Sequence, residues 1–326
     1  MTKLETLKLD NNMLSGETTS WLFNMKALKN LFLGRNALKW NNNAKIVPQC
    51  MLSGLSLQSC GLVGLIPGWI SSQRSLDYLD LSKNQLEGIF PQWLADMELG
   101  TVILSDNNLT GSLPPSLFHS RSLSLLDLSR NRFSGELPEN MGNATAIMIL
   151  ILAENSFSGK FRAPSPIFIA CYCWTCQRTN FLAQFLILIF MTTESQENSQ
   201  TFISEISTLR SLNLRNNSLQ GSVPCSISNL SNLQILDLSH NSFTGSIPAE
   251  VGDLVGMIET PITFSSISFI FTFSIEYTVL IVNWKRSVQV LSSSASINIY
   301  SWLDLSKNHL SGEIPSSLGK LRPQDA

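Results

Sequence analysis

Three cysteines within six residues, Cys171, Cys173 and Cys176 of CYCWTC, are the densest set of metal-binding side chains in the sequence. A thiolate zinc site needs a fourth ligand in tetrahedral geometry, and no second paired His or Cys motif stands nearby, so no metal is expected. Catalysis requires groups that converge. The three histidines, His119, His240 and His309, are scattered and none is placed beside a nucleophile, so neither an enzyme nor a cofactor is expected. Asn108, Asn143, Asn216 and Asn229 open Asn-x-Ser/Thr sequons and would accept glycan in a secreted chain. An Asp recurs in LDLS at Asp80, Asp127, Asp237 and Asp304, and is read as the solvated face of a strand.

These groups sit in an unusual composition. The 326 residues include 50 Leu, 47 Ser and 26 Asn, whereas Asp, Glu, Lys and Arg make up only 14%. Ordinary soluble domains carry roughly 25% charged residues, so Ser and Asn must supply much of the polar surface. A net charge of −2 offers no basic field for a phosphate backbone, and nucleic acid is excluded as a partner. Hydrophobic content of 44%, with seven Trp and 17 Phe, excludes a disordered chain.

A repeat organises the whole. LDYLDLSKNQLEGIFP from Leu76, LSLLDLSRNRFSGELP from Leu123 and LQILDLSHNSFTGSIP from Leu233 share the template LxxLxLxxNxLxGxIP. Its Asn position is filled by Asn12, Asn36, Cys60, Asn84, Asn107, Asn131, Asn155, Asn217, Asn241 and Asn308, at intervals of 24, 24, 24, 23, 24, 24, 62, 24 and 67. Such a period implies a stack of coils in place of a globular core. In LxL the leucines point inward and the residue between them outward, giving one short strand per coil and a parallel sheet on the concave face. The Asn amide, with two donors and an acceptor, is expected to bond backbone groups of its own and the adjacent coil. Gly then permits a close turn, and Pro ends the extended segment that follows.

The sequence at this point resembles the leucine-rich repeat proteins, and within them the plant extracellular subclass. The distinguishing feature is GxIP, present as Gly64-Ile66-Pro67, Gly88-Phe90-Pro91, Gly111-Leu113-Pro114, Gly135-Leu137-Pro138, Gly221-Val223-Pro224, Gly245-Ile247-Pro248 and Gly312-Ile314-Pro315. The resemblance is to ectodomains of receptor-like proteins and receptor-like kinases, over about two thirds of the chain. It implies an α/β repeat fold: a curved leucine-rich repeat solenoid with a parallel concave β-sheet. The organisation expected is repeats over 1–159, a non-repeat segment over 160–208, two repeats over 209–253, an island over 254–299 and a truncated repeat over 300–326.

The two interruptions differ in character. Residues 160–208 contain the cysteine cluster and FLAQFLILIF from Phe181 to Phe190, which is shorter than the roughly 20 residues of a bilayer span. The segment is read as a retained intron or mispredicted exon. Residues 254–299 partly alternate apolar residues with Ser and Thr, as half-buried strands do, and resemble the island of receptor-like proteins. The chain opens inside a repeat at MTKLETLKLDNN and stops at LGKLRPQDA, without recognisable caps, signal peptide, transmembrane helix or kinase motif. It therefore reads as a fragment or divergent paralogue that folds poorly alone, its stack open at both ends and broken inside.

The resemblance implies a ligand-perceiving receptor-like protein at the outer face of the plasma membrane, anchored by a missing segment, which binds an extracellular peptide or protein and acts through a co-receptor or adaptor receptor kinase. Two alternatives stand beside it: a wall-associated inhibitor resembling the polygalacturonase-inhibiting proteins, and a non-functional truncated product. The partner site is placed on Asn213, Arg215 and His240 of the concave strip and on Glu276, Tyr277, Trp284, Lys285 and Arg286 of the island, where aromatic and Arg side chains of the hot-spot type accumulate. Departures from LDLS at Phe32, Arg35, Ile103, Ile151 and Glu154 are further candidates for contact.

Overall fold

The computed structural model describes residues 4–17, 20–41, 46–160, 208–258, 280–284, 287–291 and 301–321. Among these residues each repeat forms one coil, and ten three-residue strands pair in chain order into one parallel sheet, from Thr6–Lys8 through Tyr78–Asp80 to Trp302–Asp304. Every strand starts at the same template position, so Leu55, Leu79 and Val102 lie side by side, and so do Leu126, Leu150 and Leu212. All six are at most 1% exposed. Only two inward positions separate the strand from its turn, which is why each strand is short.

The turn is built by the Asn. In the sixth coil the Asn131 amide donates to the carbonyls of Leu104, Leu128 and Ser129 at 2.9, 3.0 and 3.2 Å, and its oxygen accepts from Leu109 N–H at 3.0 Å. One side chain thus satisfies backbone groups of its own coil and of the coil before it, which would otherwise be buried and unpaired. Asn36, Asn84, Asn107, Asn155, Asn217, Asn241 and Asn308 donate in the same way to the coil before. Cys60 substitutes its thiol, which lies 3.8 Å from the Leu33 carbonyl and 3.6 Å from that of Gln58. Burial, and secondarily Asp80, pushes the Cys60 thiol up to about 12, so it stays protonated. Replacing Cys60 by Asn is expected to raise stability by about 1 kcal/mol, the usual net worth of a hydrogen bond. Urea unfolding of the variant measures it, and an unchanged midpoint would show that the thiol suffices.

Beyond the Asn, the template predicts only an extended segment. The structure forms a second, eight-stranded parallel sheet there, from Val63–Gly64 to His309–Leu310. The Gly of GxIP lies at or near the end of this strand with a positive φ, +86° at Gly88, where a Cβ would also lie 2.6 Å from Leu65 Cδ2. Pro follows just before a short helical turn on the convex face, as Pro91 before Gln92–Ala95 and Pro224 before Cys225–Asn229. A proline costs nothing at a helix start, where its missing N–H has no intrahelical partner.

The 62- and 67-residue intervals interrupt the sequence but not the sheets. Strand Ile149–Ile151 pairs directly with Ser211–Asn213, and Ile235–Asp237 with Trp302–Asp304. Asn217 reaches back to the Leu152 carbonyl at 3.1 Å, and Asn308 to that of Leu238 at 3.0 Å. The expected break inside the stack is therefore absent, because the residues on either side of each interval keep the template register. Cys171, Cys173, Cys176 and the Phe181 to Phe190 run lie outside the described residues. The island contributes Leu280–Trp284 paired antiparallel with Ser287–Leu291, the sense opposite to both main sheets.

Candidate functional site

Three rows of side chains run along the inner face of the first sheet. The innermost, the position before the inward Leu of each strand, is apolar at Tyr78, Leu125, Ile149 and Ile235; with Met148 and Trp302 packed against them, these four join Phe32, Ile103 and Ile151 of the next row in a cluster separate from the leucine core. Their exposures are only 2 to 8%. Strands about 4.8 Å apart on the inside of a curve bring such side chains together, and they shield one another. Gly54 shows how finely the row is fitted. A Cβ there would lie 3.0 Å from Phe32 Cζ, and its absence lets Phe32 meet Tyr78 two coils away, edge to face, with ring centroids 5.9 Å apart. The sequence signal for this row was the apolar residue before the second Leu of LxxLxL, a position the template leaves open.

The second row corrects an expectation. Asp80, Asp127 and Asp237 are 1%, 5% and 4% exposed, not solvated. Each carboxylate turns back on its own chain: Asp127 Oδ1 accepts from the N–H and hydroxyl of Ser129 at 3.0 and 2.7 Å, and Asp80 and Asp237 do the same with Ser82 and Ser239. The Asp-x-Ser pair is thus a local turn device, of the kind that short polar side chains make with nearby backbone. Asp304 of the last coil is half-buried and makes the backbone bond to Ser306 N–H at 2.9 Å.

Burial pushes the three enclosed carboxyls above the usual carboxylate range, against the lowering effect of the serine bonds. Their folded pKa exceeds the unfolded one, so the folded state binds the proton more tightly and stability rises as pH falls from neutral through those raised values. Asp127→Asn is expected to raise stability at neutral pH and to flatten its pH dependence. Asn213 already occupies this position in the eighth coil, accepting from Arg215 N–H at 3.1 Å. Thermal unfolding across the pH range checks both effects, and a lower midpoint of the variant at neutral pH would refute them.

The third row is the rim. In every coil the residue just before the ladder position has a positive φ between 52 and 56°. Non-glycine residues pay for this conformation, and the ladder bonds that hold the turn impose it. Side-chain type is unrestricted, so the rim carries Arg35, Lys83, Asp106, Arg130, Glu154, Asn216, His240 and Lys307. Arg130 pairs with Asp106, its Nη2 at 2.8 Å from Asp106 Oδ2. Arg35 is held internally by Gln58 at 2.7 Å and Asn11 at 3.4 Å.

Of the predicted site residues, Asn213, Arg215 and His240 come together, since strand Ser211–Asn213 pairs with Ile235–Asp237 and Asn216 N–H donates to the Ser239 carbonyl at 3.0 Å. Asn213 is buried, Arg215 half-buried and His240 stands on the rim. Phe32, Ile103 and Ile151 stand at the register position of Asp80 and Asp127 and join the apolar cluster, and Glu154 is exposed. Trp284 ends an island strand opposite Ser287, and Glu276, Tyr277, Lys285 and Arg286 lie outside the described residues. All four sequon asparagines are exposed. Asn108 begins an outer-sheet strand, Asn143 and Asn229 end convex helical turns, and Asn216 is on the rim. Among the described residues no group of three His, Cys, Asp or Glu could hold a metal ion, and no helix is long and apolar enough to cross a membrane.

Two family profiles, both described as leucine rich repeat, match residues 51–109 and 198–255 and residues 3–25, 122–144 and 301–321, together more than half of the sequence. The chain belongs to the leucine-rich repeat family. It is 52% identical over 71 residues to receptor-like protein 46 of Arabidopsis thaliana, a match covering 21% of this chain and 9% of that protein. Among solved structures it is similar to the ectodomain of the plant membrane receptor kinase GASSHO1/SCHENGEN3 from Arabidopsis thaliana, in complex with Casparian strip integrity factor 2. That likeness has a TM-score of 0.65 at 27% identity and covers 98% of this chain and 29% of that one. It is also similar to the Arabidopsis receptor kinase HAESA in complex with the peptide hormone IDA and the co-receptor SERK1, with a TM-score of 0.57 at 25% identity over 98% of this chain and 52% of that one. This leucine-rich repeat chain therefore spans less than two thirds of the length of each.

Proposed function

We propose that this chain perceives an extracellular peptide or protein ligand as part of a plant receptor-like protein without its own kinase, signalling through a partner receptor kinase. The observation that carries the reading is the unbroken ten-strand concave sheet, which joins coils distant in sequence into one surface. That surface has an apolar floor and a freely variable rim. The likeness to peptide-bound receptor ectodomains supports it. We place the partner contact on Asn213, Arg215 and His240 of the eighth and ninth coils together with the island residues Glu276, Tyr277, Trp284, Lys285 and Arg286. Glycan at the exposed Asn108, Asn143, Asn216 and Asn229 is part of the same extracellular reading.

The test is capture of receptor kinases by the tagged full chain expressed in plant cells. Substituting Trp284, Lys285 and Arg286 together by Ala is expected to weaken capture about tenfold or more, as truncation of hot-spot residues does. Unchanged capture by a folded triple variant would move the contact off the island. Inhibition of a polygalacturonase in place of kinase capture would replace the receptor reading with that of a wall-associated inhibitor.

A further inference from the structure

We propose that His240 and Lys307 form a proton-controlled clasp across the seam between the ninth and tenth coils, closed when His240 is neutral and opened when it is protonated. Asn241 and Asn308 on the two sides of this seam are 67 residues apart in sequence, so the tenth coil is held to its neighbour chiefly by non-covalent contacts. Those contacts are explicit. Leu238 N–H donates to the Asp304 carbonyl, His240 N–H to that of Ser306, and Trp302 N–H to that of Gln234, each at 2.9 Å. On the convex side Lys320 Nζ lies 2.7 Å from Asp253 Oδ1.

At the rim the seam is closed by a different kind of bond. Lys307 Nζ lies 2.7 Å from His240 Nε2, and because an ammonium can only donate, the ring must accept there and carry its proton on Nδ1. That Nδ1 is buried without a hydrogen-bond partner. A second proton on the ring would abolish the acceptor and set two cations at contact distance. The charged groups that act on the ring are Arg215 on the eighth coil and Lys307 and Asp304 on the tenth. Asp304 already accepts from Ser306. Burial first, then repulsion by Lys307 and Arg215, holds His240 below its ordinary value of 6.5, with Asp304 opposing. A histidine lowered on folding contributes stability that is full above the unfolded value, about 6.5, and lost as pH falls through the folded one.

The test uses the full chain with His240→Asn and Lys307→Asn, chosen because both sites have positive φ, 54 and 53°, which Asn tolerates. Hydrogen exchange, corrected for intrinsic rates, is compared at about pH 7.5 and about pH 5, on either side of the ordinary histidine range. Amides of residues 302–310 are expected to exchange severalfold faster at the lower pH in the parent chain, and to lose most of that difference in either variant. In parallel, the His240 ring resonance should titrate closer to its ordinary value once Lys307 is replaced. Equal protection at both pH values, a pH response that survives in both variants, or a ring pKa unmoved by Lys307→Asn would each overturn the clasp.

Discussion

Asn131→Ala is expected to lower the unfolding free energy by about 3 kcal/mol or more, since buried hydrogen-bonding groups left without partners cost roughly 1 to 3 kcal/mol each. The substitution strips three carbonyls, those of Leu104, Leu128 and Ser129, and the Leu109 N–H of their shared partner. Asn131 is 9% exposed, so water cannot easily replace the amide. The contrast that isolates the mechanism is Asn12→Ala. Asn12 is exposed, and the carbonyls its amide meets, those of Leu9 and Asp10 at 3.0 and 3.1 Å, can turn to water. Its loss should cost under about 1 kcal/mol, in the range of surface substitutions. Urea denaturation of the two variants measures the difference, and equal costs would show that the ladder acts through turn propensity, not through satisfaction of buried backbone groups.

The second large effect is expected at Phe157, whose removal to Ala should cost about 3 to 5 kcal/mol, as for other fully buried Phe residues. Phe157 is 0% exposed and stacks on Phe133, with ring centroids 6.2 Å apart and planes 5° from parallel. Its backbone N–H donates to Asn217 Oδ1 at 3.0 Å, so the same residue forms the joint across the 62-residue interval. A double-mutant cycle of Phe157→Ala with Leu219→Ala, the residue at the equivalent position of the next coil, tests that joint. Coupling of about 0.5 kcal/mol or more is expected for residues sharing one packed neighbourhood. Additive losses would mean that the coils on the two sides of the interval unfold independently.

Much of this protein was legible from its sequence because the repeat is one-dimensional. Once Leu79, Leu81, Asn84, Leu86, Gly88 and Pro91 are placed in a coil, the same roles follow at every period, since each coil is stabilised by its neighbours in one register. The inward leucines, the bonding of the Asn ladder and the Cys60 variant were all determined by residue type and spacing. What spacing could not decide was anything that depends on how coils approach one another. The outer sheet, the apolar row closed by the gap at Gly54, and the enclosure of Asp80, Asp127 and Asp237 arise only when strands from different coils come within van der Waals reach. An outward position on an isolated strand is solvated, but on the inside of a curved stack it is covered by its neighbours. The continuity of the sheets across the two long intervals has the same origin: sequence separation measures the length of the link, whereas pairing depends on register, which the residues on both sides had kept. His240 is the sharpest instance, because its meeting with Lys307 joins positions 67 residues apart that only the stacking of the tenth coil on the ninth brings together.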